Sequence, residues 1–563
     1  MKKIHTTMMV CLMSGVVMLA AGCKREFGTV TLGANIDNGR DAKVYINDLT
    51  PCWHNNDWIR VNNQTCTTSV ALGASAQITN VVESNHYRAI YPADIVGNVN
   101  ISGSNTVTVT LPREQQYEVD SRGDQKVKVP MGAYSSNESL TFHNLCSLIK
   151  VVVSNQMTDD FLLDCIKVTA TSAYLSGGGN AIVSGNSNDV ISLTSSSSNH
   201  DVSLVFPTAN RPTIGRGDRD TYVFYIIVPE FTDDDVIITL YSQGRYTTFE
   251  RQASLPHNRM AEVRLTLRQW DGVDPSLTDG VLPGVFSVSN TQQICFSRGN
   301  LQYCASTETW RFAEHQWDFV GTQTADNRGY YGGTIDGCDN RDISSTYSGW
   351  IDLFGWGTSG WWNSGAVCNQ PWDTSTIYSY YSPGDSYNSN LTGDYAEADW
   401  AWHNSISNGG NATHLWRTLS TDEWSYLISG RTNASYKYGV GTIYGVSGLM
   451  AGASGLIILP DNWTMPSGCN FYSYYTYRYN SYTQAQWSKM EANGAVFLPT
   501  AGQRWGISVE LTGRCGFYWS SSYSSEPNAR SMYFSHSNSW SGAYPADELR
   551  CYGCSVRPVR DNN

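Results

Sequence analysis

The chain is 563 residues long, with a formal net charge of −13, 41% hydrophobic residues, 12% aromatics and only 15% charged residues. That apolar content supplies real cores and excludes wholesale disorder. The acidic balance, with 37 Lys and Arg, excludes a nucleic-acid partner, whose phosphates need a basic face, and electrostatic docking on anionic lipid. At the N-terminus, Lys2 and Lys3 precede an apolar stretch from Met8 to Ala20, and Leu19-Ala20-Ala21-Gly22-Cys23 follows. A positive start, an apolar run and small residues before a cysteine predict an export signal over 1–22. Cys23 is then the lipidated first residue of the mature chain, although Ala20 stands where Leu is commoner; an ordinary signal with an incidental cysteine is the alternative. Acyl chains on Cys23 would be the sole membrane contact, since no later apolar run reaches the about 18 residues that span a bilayer.

Residues 24–268 read as β structure. Short β-branched or alternating runs occur at Thr29 to Leu32, Ala42 to Ile46, Thr106 to Leu111, Ser147 to Val153, Cys165 to Ala170, Val202 to Phe206, Tyr222 to Val228, Val236 to Tyr241 and Ala261 to Leu267. Gly, Asn, Asp and Ser separate them, and no long segment has helical apolar spacing. Strands at this spacing predict two sandwiches, with a division near 115–135.

Four phrases in this half occur in order: YRAIYPADIV (Tyr87 to Val96), VTLPREQQY (Val109 to Tyr117), VPMGAYSSNESLTFHNLCSLIKVVV (Val129 to Val153) and LPHNRMAEVRLTL (Leu255 to Leu267). Together they resemble the fimbrillins, the type V pilins of Bacteroidales-like bacteria. The resemblance implies two transthyretin-like β-sandwiches, over 23–125 and 126–270, in a lipoprotein precursor. It also implies partners: other pilin subunits joined by strand addition. In that family a trypsin-like protease removes the first strand and a neighbour's strand fills the groove, which is β-augmentation of an unpaired edge. Thr29 to Ala34 would be the leaving strand and Arg40 a processing site; a surface arginine in a polar turn is the alternative.

Beyond residue 270 the composition changes. Sixteen of the nineteen Trp and twenty-four of the thirty-four Tyr lie there, after the polar stretch Trp270-Asp271-Gly272-Val273-Asp274-Pro275. Ser420-Thr421-Asp422-Glu423 and Thr483-Gln484-Ala485-Gln486 have capping-box spacing and predict two short helices, ending near Gly430 and at Asn493-Gly494. Strands are predicted at Leu456 to Leu459, Ala495 to Leu498, Phe517 to Trp519, Ser531 to Phe534 and Ser555 to Val559. The long Gly-, Ser-, Asn- and Tyr-rich loops between them need disulfides or aromatic packing to stay ordered. Of the 14 Cys, twelve remain once Cys11 and Cys23 are set aside. Export permits disulfides among them, and the pairing is not legible in sequence.

The segments GVFSVSNTQQICFSRGNLQY (Gly284 to Tyr303), WRFAEHQWDFVG (Trp310 to Gly321), YSGWIDLFGWGTSGW (Tyr347 to Trp361), WRTLSTDEW (Trp416 to Trp424), NGAVFLPTAGQR (Asn493 to Arg504), GFYWSSSY (Gly516 to Tyr523) and GCSVRPVR (Gly553 to Arg560) are similar to FISUMP modules of surface lipoproteins. Those modules resemble the C-type-lectin-like fold shared with formylglycine-generating enzymes. The resemblance implies a mixed α/β ligand-binding domain over 275–563. Variable proteins of diversity-generating retroelements look similar too, with residues 523–552 as the variable stretch.

Two segments carry the candidate binding face. NFYSYYTYRYNSY (Asn470 to Tyr482) offers Tyr474, Tyr475 and Tyr477, and 521–550 offers Tyr523, Glu526, Asn528, Arg530, His536, Asn538, Trp540 and Tyr544. Tyr and Trp give rigid contact area at low entropic cost, and Ser and Asn give adaptable hydrogen bonds; packing in a loop-rich core is the alternative. Glu526-Pro527-Asn528 matches the tripeptide of mannose-type calcium lectins, but the partner motif is absent and one carboxylate cannot satisfy Ca²⁺. Asp336, Asp339, Asn340 and Asp342 form a second acidic loop, read as a solvated turn stapled by Cys338, with calcium as the alternative. Cys551-Tyr552-Gly553-Cys554 precedes a strand rather than a helix, which favours separate structural disulfides over a redox pair.

The fold expected is therefore β-rich and multidomain: two sandwiches followed by a lectin-like domain. The expected function is a fimbrial tip adhesin on the outer membrane or cell surface, binding a host or bacterial glycan or protein, without cofactor or catalysis. The alternatives are an anchored receptor outside any pilus and an oxidase related to formylglycine-generating enzymes.

Overall fold

The computed structural model describes residues 29–36, 53, 55–72, 74–99, 105–119, 123, 125–322, 332–335, 337–363, 367–383, 389–446, 449, 452–473, 480–536 and 542–562. The leader with Cys23, Arg40, the run at 42–46, Tyr474, Tyr475, Tyr477, Asn538 and Trp540 lie outside them. The chain is β-rich and spread over several domains and sheets. No helix among the described residues is long and apolar enough to cross a membrane.

Thr29–Ile36 runs antiparallel to Ser75–Val82 and parallel to Ser139–Asn144. It thereby closes a seven-stranded barrel with Trp58–Val61, Gln64–Leu72, Tyr87–Tyr91 and Met131–Ser135. Strand side chains alternate between faces, so Leu32 and Ala34, Ile59 and Val61, and Leu140 and Phe142 all reach the interior. They pack around Trp53, whose ring meets Tyr91 and Phe142 edge-on at 5.4 and 5.1 Å. Strands interleave across the expected division at 125/126. Met131–Ser135 and Ser139–Asn144 join the barrel, whereas Thr106–Leu111 pairs with Ser176–Ile182 and Glu114–Gln116 with Asp201–Val205.

The second core lies between two sheets. In one, Ser147–Asn155 sits between Gly217–Val228 and Met260–Leu267. Its near-continuous apolar sequence suits a central strand covered on both faces. The other sheet runs Gly272–Val273, Arg245–Leu255, Phe231–Ser242, Cys165–Ala170, Asp201–Val205, Glu114–Gln116. Val151, Val153, Ile166, Val168, Phe224, Leu240 and Leu265 fill the space between. Trp270 ends this core, edge-on to Phe161 at 5.2 Å. The polar stretch after it is knitted in rather than free: Gly272 and Val273 pair with Tyr246 and Arg245, Asp271 accepts from Thr247 Oγ1 at 2.8 Å, and Ala492 of the C-terminal half packs into the same core.

Beyond residue 280 the described residues form five small sheets and three short α-helices. Both capping boxes are present. Ser420 Oγ accepts from Glu423 N while the Glu423 carboxylate accepts from Ser420 N, and Thr483 and Gln486 do the same for the helix Gln484–Ala492. What orders the loops is indole chemistry. Trp356, Trp400, Trp416 and Trp519 are fully buried, and their Nε1 atoms donate to Ser520 O (3.1 Å), Thr358 Oγ1 (3.1 Å), Gly409 O (2.8 Å) and Phe354 O (2.6 Å). Each ring fills core volume while its polar edge ties down a loop. None of the eleven described cysteines is bonded to another in the structure. Cys338, expected as a staple, instead accepts from Trp350 N at 3.2 Å. The last strand is also displaced from the expected Ser555 to Val559: Pro558 has no N–H for a ladder, and Val559–Asp561 pairs with Gln293–Phe296.

Candidate ligand-binding face

The expected binding residues that the structure describes sit on one antiparallel sheet, Cys515–Tyr523, Asn528–Ser535 and Ala543–Leu549. The first two strands form a hairpin with Glu526 exposed at its turn. Tyr523 lies opposite Ala529, and Tyr544 lies opposite Tyr533. Four residues at about 3.3 Å each separate these positions by roughly 13 Å. Tyr523, Glu526 and Asn528 therefore form one end of the sheet, and Tyr544 and His536 the other.

The two tyrosines are the exposed aromatics of this set, at 37% for Tyr523 and 47% for Tyr544. Tyr544 leans on Tyr533 at 5.3 Å. Burial pushes the Tyr533 hydroxyl up to about 12, so it remains a neutral O–H donor near neutral pH. Arg530, midway along the sheet, pairs with Asp547 at 3.0 Å. Both ends of that pair are solvated, so it orients side chains more than it stabilises. Next to it, burial and then the neighbouring Asp547 push the Glu548 carboxyl up to about 7. Asn528 and Arg530 share a strand face with Met532 and Phe534, which are fully buried, so that face descends from the surface into the core. His536 is half-buried: Nε2 lies 3.3 Å from Thr442 Oγ1, and burial lowers its affinity for a proton.

Asp339 and Asn340 of the calcium candidates are engaged by other groups. The Asn528 amide donates to Ser525 Oγ at 3.2 Å. Asp336 lies outside the described residues, the Asp339 carboxylate is held by Arg341 Nη2 at 2.7 Å, and Asn340 turns inward to donate to Asp352 Oδ1 and Val320 O at 2.8 and 3.1 Å. Among the described residues no group of three His, Cys, Asp or Glu side chains is arranged to hold a metal ion.

A second exposed apolar face was not singled out by sequence. Gln503–Trp505 and Ser508–Glu510 form a tight hairpin, and Gly506 at its tip has φ +58°. Trp505 and Ile507 flank that glycine at 52% and 70% exposure. The tip rests on the 373–380 segment: Arg504 Nη2 donates to Asp373 O at 3.1 Å, and a Cβ at Gly506 would meet Thr376 Cγ2 at 3.1 Å. That segment contributes exposed Ile377, Tyr378 and Tyr380. The legible signal was the Trp-Gly-Ile triplet inside an alternating stretch, where glycine permits a turn that leaves two large side chains unpaired.

No protein-family model matches the chain, and no curated protein matches it. Solved structures do. A Bacteroides ovatus protein described provisionally as a cell adhesion protein is 12% identical over 43% of this chain and 93% of its own, with a TM-score of 0.29. A fimbrial protein from Bacteroides ovatus is 12% identical, covering 90% of this chain and 94% of its own, with a TM-score of 0.20. A fimbrial assembly protein from Parabacteroides distasonis is 10% identical, covering 51% of this chain and 99% of its own, with a TM-score of 0.21.

Proposed function

We propose that this chain is a lipid-anchored surface protein that caps a fimbrium and adheres through its C-terminal half. The observation that carries the reading is the placement of Thr29–Ile36. This strand is the first described element, yet it bonds to two neighbours and closes the barrel. Its removal would bare the edges of Ser75–Val82 and Ser139–Asn144 together with the sites of Leu32 and Ala34. An extended segment from a neighbouring subunit, with small apolar residues at alternate positions, would fit that gap. Cleavage near Arg40 would release the strand. In the fimbrillins that the sequence resembles the C-terminal segment donates a strand, and here a further stretch from residue 275 onward follows it. Such a subunit accepts a strand without donating one, which suits a terminal position.

Adhesion is assigned to the exposed aromatics Tyr523 and Tyr544 on one strand face, with Glu526 at the hairpin turn and Asn528 and Arg530 on the opposite strand face, acting on a surface glycan or protein. The closed barrel also supports a second reading, an anchored receptor that keeps its first strand. Immunogold labelling of intact cells separates the two. Label at fibre ends supports a capping subunit, label along the shaft overturns it, and label on the cell surface alone supports the receptor. Binding of the full chain to mucin glycans and whole cells, with and without EDTA, tests adhesion. Loss on Tyr523→Ala with Tyr544→Ala, indifferent to EDTA, is the expected result, and unchanged binding refutes this face.

A further inference from the structure

The Cys551-Tyr552-Gly553-Cys554 motif is divided by the fold. Cys554 is fully buried in the tryptophan-rich core with Phe354, Trp356 and Trp519. Cys551 points elsewhere: it packs in one small buried cluster with Cys368 and Tyr381, under Leu549 and Tyr552. The backbones on both sides of that cluster are pinned. Cys368 N donates to Tyr380 O at 2.9 Å, and Tyr552–Gly553 is paired with Arg504 and Trp505. The buried Arg504 guanidinium spans the two, donating to Leu353 O at 3.2 Å and Asp373 O at 3.1 Å. Two thiols 183 positions apart in sequence thus share one small buried cluster whose flanking backbones are fixed independently of any bond between them.

We propose that Cys368 and Cys551 are disulfide partners, and that Cys554 stays a free core thiol. The bond would clamp the segment carrying Ile377, Tyr378 and Tyr380 to the strand beside Trp505, making the second aromatic face a rigid unit. The chemistry is thiol–disulfide exchange with a small disulfide oxidant. One thiolate displaces a sulfur of the oxidant, giving a mixed disulfide. The other thiol loses its proton, attacks that bond and releases the oxidant's second sulfur as a thiol. Two S–H bonds are lost here, one S–S bond forms, and the oxidant is reduced to two thiols. Burial and then Asp373 push the Cys368 thiol up to about 11, so Cys551 is the better first nucleophile of the pair. Burial pushes the Cys551 thiol up, but its own backbone N–H and then Arg504 oppose the rise, whereas Cys554 is driven far up by burial.

The test uses the reduced full-length chain equilibrated with oxidised glutathione, which makes it independent of how the protein reaches the surface. Free thiols are alkylated after unfolding, and the chain is digested without reductant and mapped by mass spectrometry. The expected map holds one cross-linked peptide pair joining Cys368 to Cys551, with Cys554 alkylated. Cys554→Ser should leave the cross-link intact, and Cys368→Ser should leave Cys551 without an intramolecular partner. A Cys551–Cys554 link, or alkylation of both Cys368 and Cys551 after oxidation, overturns the assignment. The wild-type map decides alone if a variant fails to fold.

Discussion

Arg417 is a side chain whose loss should be costly. Its Nη1 and Nη2 donate to both Glu423 oxygens at 2.9 and 2.7 Å, and Nε and Nη2 donate to Asp561 Oδ1 at 3.1 and 2.8 Å. One guanidinium therefore joins the capped helix Thr421–Ser425 to the last strand. Replacement by Met keeps the stem and removes the charge. The Glu423 side chain is only 13% exposed and would keep the Ser420 N–H as its remaining donor. Breaking a buried pair from one side costs about 3–5 kcal/mol, whereas the arm to the more solvated Asp561 is worth at most about 1 kcal/mol. The backbone bonds between Arg417 and Val559 survive, so the expected loss is about 3 kcal/mol. With a urea slope of about 2–3 kcal/mol/M, the unfolding midpoint should fall by about 1–1.5 M. Tryptophan fluorescence is the right probe, because sixteen of the nineteen Trp lie in this half and a multidomain chain need not unfold in one step. Arg417→Met with Glu423→Gln should recover at least about 1 kcal/mol, since no carboxylate is left stranded. A midpoint unchanged by the single variant, or a double variant weaker than the single, refutes the reasoning.

Three further outcomes are expected. Asp399 is buried and accepts from Thr418 N, Thr418 Oγ1 and Ala401 N at 2.7, 2.8 and 3.1 Å; Asp399→Ala orphans these donors and should cost about 2–4 kcal/mol in the same urea assay. Phe142→Ala removes the ring against Trp53 and should cost about 3–5 kcal/mol, read as faster proteolysis of the barrel with the tryptophan transition of the C-terminal half unmoved. The hydrogen bond from His403 holds the Glu397 carboxyl below its usual 4.5, with His414 adding to it. That contribution is present above the unfolded-state value and is lost as pH falls through the folded-state value. His403→Gln with His414→Gln should therefore lower the melting temperature near neutral pH, and the difference from wild type should shrink below about pH 4; a gap that widens in acid contradicts the sign.

Local rules carried the sequence reading furthest where one residue's chemistry sufficed. The two capping boxes were legible to the residue, because a hydroxyl and the Glu or Gln three positions after it each satisfy one backbone donor without outside help. Cys165–Ala170 was legible as a strand from its alternation alone. Ile191–Asn199, with the sequence ISLTSSSSN, was not, since its pairing with Ser176–Ile182 supplies what its side chains do not. The barrel's membership was illegible for a similar reason. Nothing in Met131–Ser135 says that it pairs back to Tyr87–Tyr91. At the candidate face, aromatic enrichment pointed to the C-terminal half of the chain but could not sort exposed from buried rings. Tyr523 is exposed and Tyr518 is buried, five positions apart on one strand, because Tyr518 OH reaches Pro499 O at 2.8 Å inside the core.

The pairing of Gln293–Phe296 with Val559–Asp561 brings the two ends of the C-terminal half side by side. A circularly permuted version of that half, rejoined across that pair of strands and reopened at a surface loop, should keep the same core.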